Sequence, residues 1–109
     1  MQKTLISDEL VPWEDLGEGI QRKVMAHNDT MMIVKVQFLA GAVGALHQHP
    51  HTQASYVSGG VFDITIDGET QRLRAGDVYF VPADIIHGAV CIEQGELVDV
   101  FTPMRADFL

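Results

Sequence analysis

Short apolar stretches separated by turn-forming residues recur along the chain and constrain its fold more than any other feature. VFDITI and TQRLR flank Asp67-Gly68-Glu69, and Asp-Gly between alternating apolar and polar residues predicts a tight β-hairpin. IQRKVMA and MMIVKVQFL flank the turn-forming segment HNDT in the same way. Such stretches return about every eight to twelve residues, without helical periodicity between them. The sequence therefore predicts an all-β domain, either a barrel or a sandwich.

Size and charge narrow the class of protein. A chain of 109 residues supports one modest core, so residues 1–109 are predicted to form a single domain. The net charge of −8, with only seven Lys and Arg, argues against a nucleic-acid partner, because phosphates require clustered basic side chains. No apolar run reaches the roughly 18 residues of a membrane span, and MQKTLISDELVPW lacks the apolar core of a signal peptide. We expect a cytoplasmic protein that binds neither nucleic acid nor membrane.

Cys91 is the only cysteine of the chain, which excludes an internal disulfide and every zinc motif built on cysteine pairs. Any metal must therefore be bound through nitrogen and oxygen atoms. Because Cys91 lies in the apolar stretch AVCI, a buried core position is favoured over a role as nucleophile.

Three of the five histidines lie in the short stretch LHQHPHTQ. In an extended strand His47 and His49 point to the same side, about 7 Å apart, as two ligands of one ion require. Gln53 has the same parity, whereas Pro50 interrupts strand pairing just before His51, so the role of His51 stays open. The stretch alone fits a polar surface loop equally well. His87, which follows Gly76 and Pro82 far along the chain, favours the metal site.

The spacing of these residues resembles the two sequence motifs of the cupin superfamily. The first motif corresponds to Gly41, His47-Gln48-His49, Gln53 and Gly60, and the second to Gly76, Pro82 and His87. The chain departs from the usual pattern with glutamine at 53, Asp84 after the proline and Cys91 after the histidine. The resemblance implies a single-domain cupin jelly-roll β-barrel in which one metal ion is bound by His47, His49, Gln53 and His87.

The ligand set implied by the resemblance limits the metal without identifying it. Three imidazoles and a neutral amide leave the ion its full double charge, which makes it a stronger Lewis acid than a site containing a carboxylate. Imidazole suits nickel, zinc and iron, while an amide oxygen also accepts manganese. The expected cofactor is therefore one divalent transition metal, and a cupin that has lost its metal or keeps the ligands for stability alone is the alternative.

The carboxyl-terminal segment ELVDVFTPMRADFL contains a second group of candidate residues. In a strand Asp99 and Phe101 share one face, and Val98 and Val100 share the other. The pattern by itself slightly favours the valines inside and Asp99 in water.

The chain resembles the KdgF family of pectin degradation proteins in three segments, which are VDVFTP, PWEDLGEGIQRKV and LHQHPHTQ. The likeness runs over nearly the whole chain. The resemblance implies that Asp99 and Arg105 are catalytic and that Phe101 and Arg105 bind the substrate. It also implies the reaction, which is metal-dependent ring opening of 4,5-unsaturated uronate monosaccharides, released by pectin or alginate lyases, to linear 5-keto-4-deoxyuronates.

Two rival functions and one assembly state complete the expectations. A metal-dependent cupin dioxygenase would need iron or copper and oxygen, and it gives Asp99 and Arg105 no task. A non-catalytic sugar-binding cupin is the other rival. A barrel of this size leaves edge strands and apolar outer faces to cover, and MMIVKVQFL is richer in apolar residues than one face requires, so we expect a homodimer.

Overall fold

The computed structural model describes residues 2–109 as an eight-stranded antiparallel sheet rolled into a jelly-roll barrel. Strands β1 to β3, β8, β5 and β6 are neighbours in that order, while β4 pairs with β8 and β7 pairs with β5. Two 3-10 turns lie near the chain ends, at Asp8–Leu10 and Ala106–Phe108. The strands are β1 (Glu14–Gly17), β2 (Ile20–His27), β3 (Met32–Phe38), β4 (Val43–His47), β5 (Thr52–Ile66), β6 (Glu69–Arg74), β7 (Val78–Val81) and β8 (His87–Thr102).

Both hairpins expected from the sequence are present. β2 and β3 pair across the HNDT turn, in which the Asn28 side chain accepts hydrogen bonds from the backbone amides of Thr30 and Met31. β5 and β6 pair across Asp67 and Gly68, whose φ angles are +49° and +81°. Two consecutive positive φ values are typical of a type I′ turn, whose twist matches that of the flanking strands. Asp-Gly is one of the residue pairs that favour this turn.

Strands β5 and β8 are longer than the sequence predicts. Gly59-Gly60 and Gln94-Gly95 are turn-forming pairs, which by themselves predict strand ends, but both strands run through these positions with local shifts of register. The reason is a β-bulge, which bends a strand without ending it. Beyond the bend β5 pairs with β6, and before it β5 pairs with β7, so one strand serves both ends of the barrel.

The bend depends on the absence of a side chain at Gly60. A Cβ atom there would lie 2.5 Å from the Gly95 Cα, whereas a Cβ at Gly68 would have no heavy atom within 4 Å. Both residues have nearly the same φ, +80° and +81°. We therefore expect Gly68→Ala to lower the free energy of unfolding by about 1–2 kcal/mol, from its positive φ alone. Gly60→Ala adds a steric clash and should lower it by at least about 1 kcal/mol more.

Denaturant unfolding of the two glycine variants measures this difference directly. Because Gly68→Ala carries the same backbone strain, it serves as the control that isolates the contact with Gly95. If the two variants lose the same free energy of unfolding, the close approach of β5 and β8 at Gly60 does not contribute to the cost of adding a side chain there.

The main core spans the bend and is packed around two aromatic rings. Phe38 and Phe62 meet edge to face with their centroids 5.2 Å apart. Cys91 is buried among these residues, as expected, and its Sγ donates to the Glu93 carbonyl oxygen at 3.0 Å. A smaller cluster on the other side contains Met32, Val34 and Phe101, and it adjoins the candidate site.

The outer face of the sheet carries an exposed apolar surface. Ile33 and Phe80 are exposed at the two ends of a row that crosses β3, β8, β5 and β7, and Tyr56 and Val78 are exposed in the next row. The predicted homodimer would use such a face, and it stays a prediction. Within residues 2–109 no helix has the length and apolar character needed to cross a membrane.

Candidate metal centre

Three histidines, of which only His87 is distant in sequence, converge at one end of the barrel. His47 ends β4, His87 begins β8, and the two are partners in the β4–β8 pairing. His49 follows β4 in the loop, so strand parity does not place it, yet its ring centroid lies 4.9 Å from that of His87. One ring nitrogen from each of the three lies within 4.8 Å of the others. The structure therefore brings together the three predicted histidine ligands, of which His49 and His87 are buried.

Backbone carbonyls fix which nitrogen of each ring carries the hydrogen. Nδ1 of His47 lies 2.8 Å from the Ala45 oxygen, Nδ1 of His87 lies 2.8 Å from the Ile85 oxygen, and Nδ1 of His49 lies 3.1 Å from the His51 oxygen. A carbonyl only accepts, so each Nδ1 must donate. Burial lowers the pKa of His49 and lowers that of His87 to about 4, which keeps both rings neutral at pH 7. Their Nε2 atoms therefore present lone pairs to the centre of the cluster.

Gln53 contributes a fourth lone-pair donor to the same point. Its Oε1 lies 3.1 Å from Nε2 of His49 and 3.1 Å from Nε2 of His87. With both Nδ1 atoms protonated and both rings neutral, no hydrogen is available for either contact. Buried lone pairs that face one another are unfavourable unless a cation lies between them. Three imidazole nitrogens and one amide oxygen form a donor set that suits a divalent transition metal.

His51 lies beside the cluster but faces elsewhere. Its Nε2 donates to the Met104 carbonyl oxygen at 3.1 Å, and its Nδ1 is buried with no hydrogen-bond partner within residues 2–109. The contact fastens the segment that follows β8, which carries Arg105. His51 is thus close to His49 without being part of the set of converging nitrogens.

Asp99 points into the barrel, contrary to the expectation from local patterning. Its side chain is only 9% exposed, whereas Val98 and Val100 are half-buried on the opposite face. The physical reason is parity, since Leu97 and Phe101 are both buried on the face of Asp99. Burial raises the pKa of Asp99 to about 6, against the opposing effects of a hydrogen bond from Ser55 and the charge of Arg105.

A continuous line of hydrogen bonds joins Asp99 to the histidine cluster. The Ser55 hydroxyl donates to Asp99 Oδ1 at 2.6 Å, and the Gln53 amide nitrogen donates to the Ser55 oxygen at 2.9 Å. All three side chains are buried. Residues 53 and 55 share one face of β5, and β8 places Asp99 opposite Ser55.

The carboxyl-terminal segment forms the opposite wall of the site. The guanidinium of Arg105 lies over the rings of Phe101 and Phe108, 5.2 Å and 4.3 Å from their centroids. Its Nε and Nη2 atoms donate to the two carboxylate oxygens of Asp107, at 3.1 Å and 2.8 Å. This pair fixes the plane of the guanidinium, and the hydrogens on Nη1 take no part in it.

A cavity of about 150 Å³ connects these groups. All of the predicted site residues except His49 line this cavity. The His49 ring instead packs against Phe101, and the two ring centroids are 5.7 Å apart. Sequence reasoning missed four further lining or supporting residues, which are Ser55, Tyr79, Arg22 and Phe108. Ser55 could have been found, because it shares the parity of Gln53 on one strand. The guanidinium of Arg22 also lies over the Phe108 ring, 3.9 Å from its centroid, and no local signal identifies it.

Comparison with known proteins agrees with this architecture. Residues 34–101, more than half of the chain, match the cupin domain family. Over full length the chain is 45% identical to the pectin degradation protein KdgF of Dickeya dadantii, with all of both chains covered.

Two solved structures share fold and sequence with the chain. The structure of KdgF from Halomonas sp. superposes with a TM-score of 0.94 at 42% identity, and the match covers 99% of this chain and 100% of that one. An RmlC-like cupin from Shewanella frigidimarina superposes with a TM-score of 0.95 at 43% identity, covering 99% and 98%. The chain therefore belongs to the cupin superfamily and, within it, to the family of the pectin degradation protein KdgF.

Proposed function

We propose that the protein catalyses the ring opening of 4,5-unsaturated uronate monosaccharides to linear 5-keto-4-deoxyuronates, with a divalent metal ion as cofactor. The observation that carries the proposal is one cavity lined by a cluster of lone-pair donors, a buried carboxyl group and a guanidinium. The relatedness to pectin degradation proteins supports the choice of sugar.

The substrate class offers a partner to each of these groups. An unsaturated uronate is a cyclic hemiacetal that carries an enol-ether double bond and a carboxylate. Arg105 would bind the carboxylate through the Nη1 hydrogens that the pair with Asp107 leaves unused. Phe101, buried at the base of the same wall, would pack against the apolar face of the sugar ring.

Asp99 is the group that would move protons. Its carboxylate would accept the proton of the anomeric hydroxyl as the bond between the anomeric carbon and the ring oxygen breaks, which leaves an aldehyde and an enolate. The same carboxyl group would then return the proton to the alkene carbon that does not bear the oxygen, giving the ketone. Substrate and product are isomers, so the step consumes no water and transfers no electrons.

A divalent ion bound by His47, His49, Gln53 and His87 would supply a Lewis acid that stabilises negative charge on a substrate oxygen. Because the four ligands are neutral, none of them reduces the charge of the ion. The buried position of His49, Gln53 and His87 also limits competition from water for that charge.

A proton magnetic resonance time course tests the proposal. Unsaturated uronate freshly released by a lyase is followed with metal-loaded protein and with buffer alone, through the loss of the alkene proton signal. We expect the protein to accelerate this loss and to produce the linear keto sugar. If the signal decays at the rate of the blank, ring opening is not the function, and oxygen uptake by the iron-loaded or copper-loaded protein then tests the dioxygenase.

A further inference from the structure

A single buried hydroxyl group, that of Ser55, separates the metal cluster from the proposed proton carrier. Ser55 is 3% exposed, and its oxygen accepts a hydrogen bond from the Gln53 amide while its hydrogen is donated to Asp99. A hydroxyl has one hydrogen to give. Because Asp99 Oδ1 receives that hydrogen, the Ser55 oxygen can face Gln53 only as an acceptor.

The direction of these two hydrogen bonds determines whether the oxygen or the NH₂ group of the Gln53 amide faces the histidines. An amide has two chemically different ends, of which the oxygen can bind a cation and the NH₂ group cannot. Ser55 as an acceptor holds the NH₂ group, so Oε1 points at His49 and His87. If the amide turned over, the NH₂ group could donate to the lone pairs of both rings, which satisfies the metal-free cluster but displaces a cation.

We propose that Ser55 is a positioning residue that sets the orientation of the Gln53 amide and thereby makes Gln53 a metal ligand. The inference rests on the metal centre of the proposed function and deepens it. Ser55 touches neither the sugar nor the ion in this role, since it acts through the amide of Gln53. The need for such a residue follows from the neutral ligand, because a carboxylate has two equivalent oxygens and presents one of them whichever way it turns.

Because the two oxygens of a carboxylate are equivalent, a glutamate at position 53 should not need Ser55 to orient it. The test therefore compares the loss of Ser55 with glutamine and with glutamate at this position. The affinity for Zn²⁺ is measured by competition with a chromophoric chelator for native protein, Ser55→Ala, Gln53→Glu and the double variant. We expect Ser55→Ala to weaken Zn²⁺ binding by about tenfold to a hundredfold, the usual effect of losing a group that orients a ligand. In the Gln53→Glu background the same substitution should change the affinity by no more than about twofold.

Ser58→Ala is the matched control, because Ser58 lies on the same strand with its hydroxyl exposed and directed at Glu96. It should leave Zn²⁺ affinity unchanged. If Ser55→Ala does not fold, the isosteric pair Ser55→Thr and Ser55→Val replaces it, and only the variant that keeps a hydroxyl should keep the native affinity. Thermal unfolding of the metal-free proteins shows which variants are folded.

The possible results separate this inference from the proposed function. Equal losses of affinity in the two backgrounds, or no loss in either, would overturn the role of Ser55 and leave ring opening untouched. The expected dependence on Gln53 in a protein that fails to open the sugar ring would support the role of Ser55 and refute the function. A native protein that binds no Zn²⁺ would overturn the role of Ser55, while the time course of ring opening tests the function separately.

Discussion

Replacing Asp99 by asparagine is expected to lower the rate of ring opening by about a hundredfold to ten-thousandfold, the range that a positioned general acid–base group contributes. Asparagine keeps the shape of the side chain and can still accept the hydrogen bond from Ser55, so binding of metal and sugar should persist. The measurement is the magnetic resonance time course at saturating substrate. Asp15→Asn is the control, because it removes an exposed carboxylate of β1 that does not line the cavity, and asparagine can still accept the hydrogen bond from the Gly17 amide.

The same role gives the rate a defined dependence on pH. A group that accepts a proton must first be ionised, so the rate should rise with pH and level off above the pKa of Asp99. Burial raises that pKa to about 6, and a bound cation would pull it down again. The half-maximal rate should therefore fall at or below pH 6, and the Asp99→Asn variant should lack this rise. If the Asp99→Asn variant shows the same rise in rate with pH as native protein, Asp99 is excluded as the base.

Removal of the metal should have an equally large effect, on stability as well as on rate. An ion that binds only the folded protein adds about 4 kcal/mol when its free concentration is a thousandfold above Kd. For a domain of about 100 residues this corresponds to a rise in Tm of more than about 10 °C. We expect a chelator to lower Tm by that amount and to abolish ring opening, and added metal to restore both.

Two histidine variants show whether the effect belongs to the proposed site. His49 is buried within the cluster, and His27 is exposed at the end of β2. In the His49→Ala variant the chelator should shift Tm little, whereas His27→Ala should respond as native protein does. If both variants respond like native protein, the ion binds elsewhere.

Much of the fold was predictable because its signals are local. Asp67-Gly68 fixes a hairpin through its backbone conformation alone, and the glycine and histidine spacing identifies the family. The continuity of β5 and β8 was not predictable, because glycine pairs mark turns and bulges alike. Only the close approach of Gly60 to Gly95, which joins distant segments, distinguishes the two outcomes.

The site divides in the same way. The three histidines and Gln53 were implied by the resemblance to the cupin motifs, but the inward direction of Asp99 required a longer window of sequence. Val98 and Val100 outweigh Asp99 when only neighbours are compared, and Leu97 and Phe101 reverse that balance once both are counted. Arg22 reaches the cavity from β2 through its contact with Phe108, a tertiary contact that no sequence pattern encodes.

The long pairing of β5 with β8 also determines when the site can form during folding. Ser55 and Asp99 are 44 residues apart in the chain, and Gln53 and His87 are 34 apart. A large loop must close before either pair meets. Closing it lowers the conformational entropy of the chain before the contacts that compensate for this loss have formed. We therefore expect slow folding, with the metal ligands assembled only in the last stage. A metal ion would then capture the finished barrel rather than nucleate it.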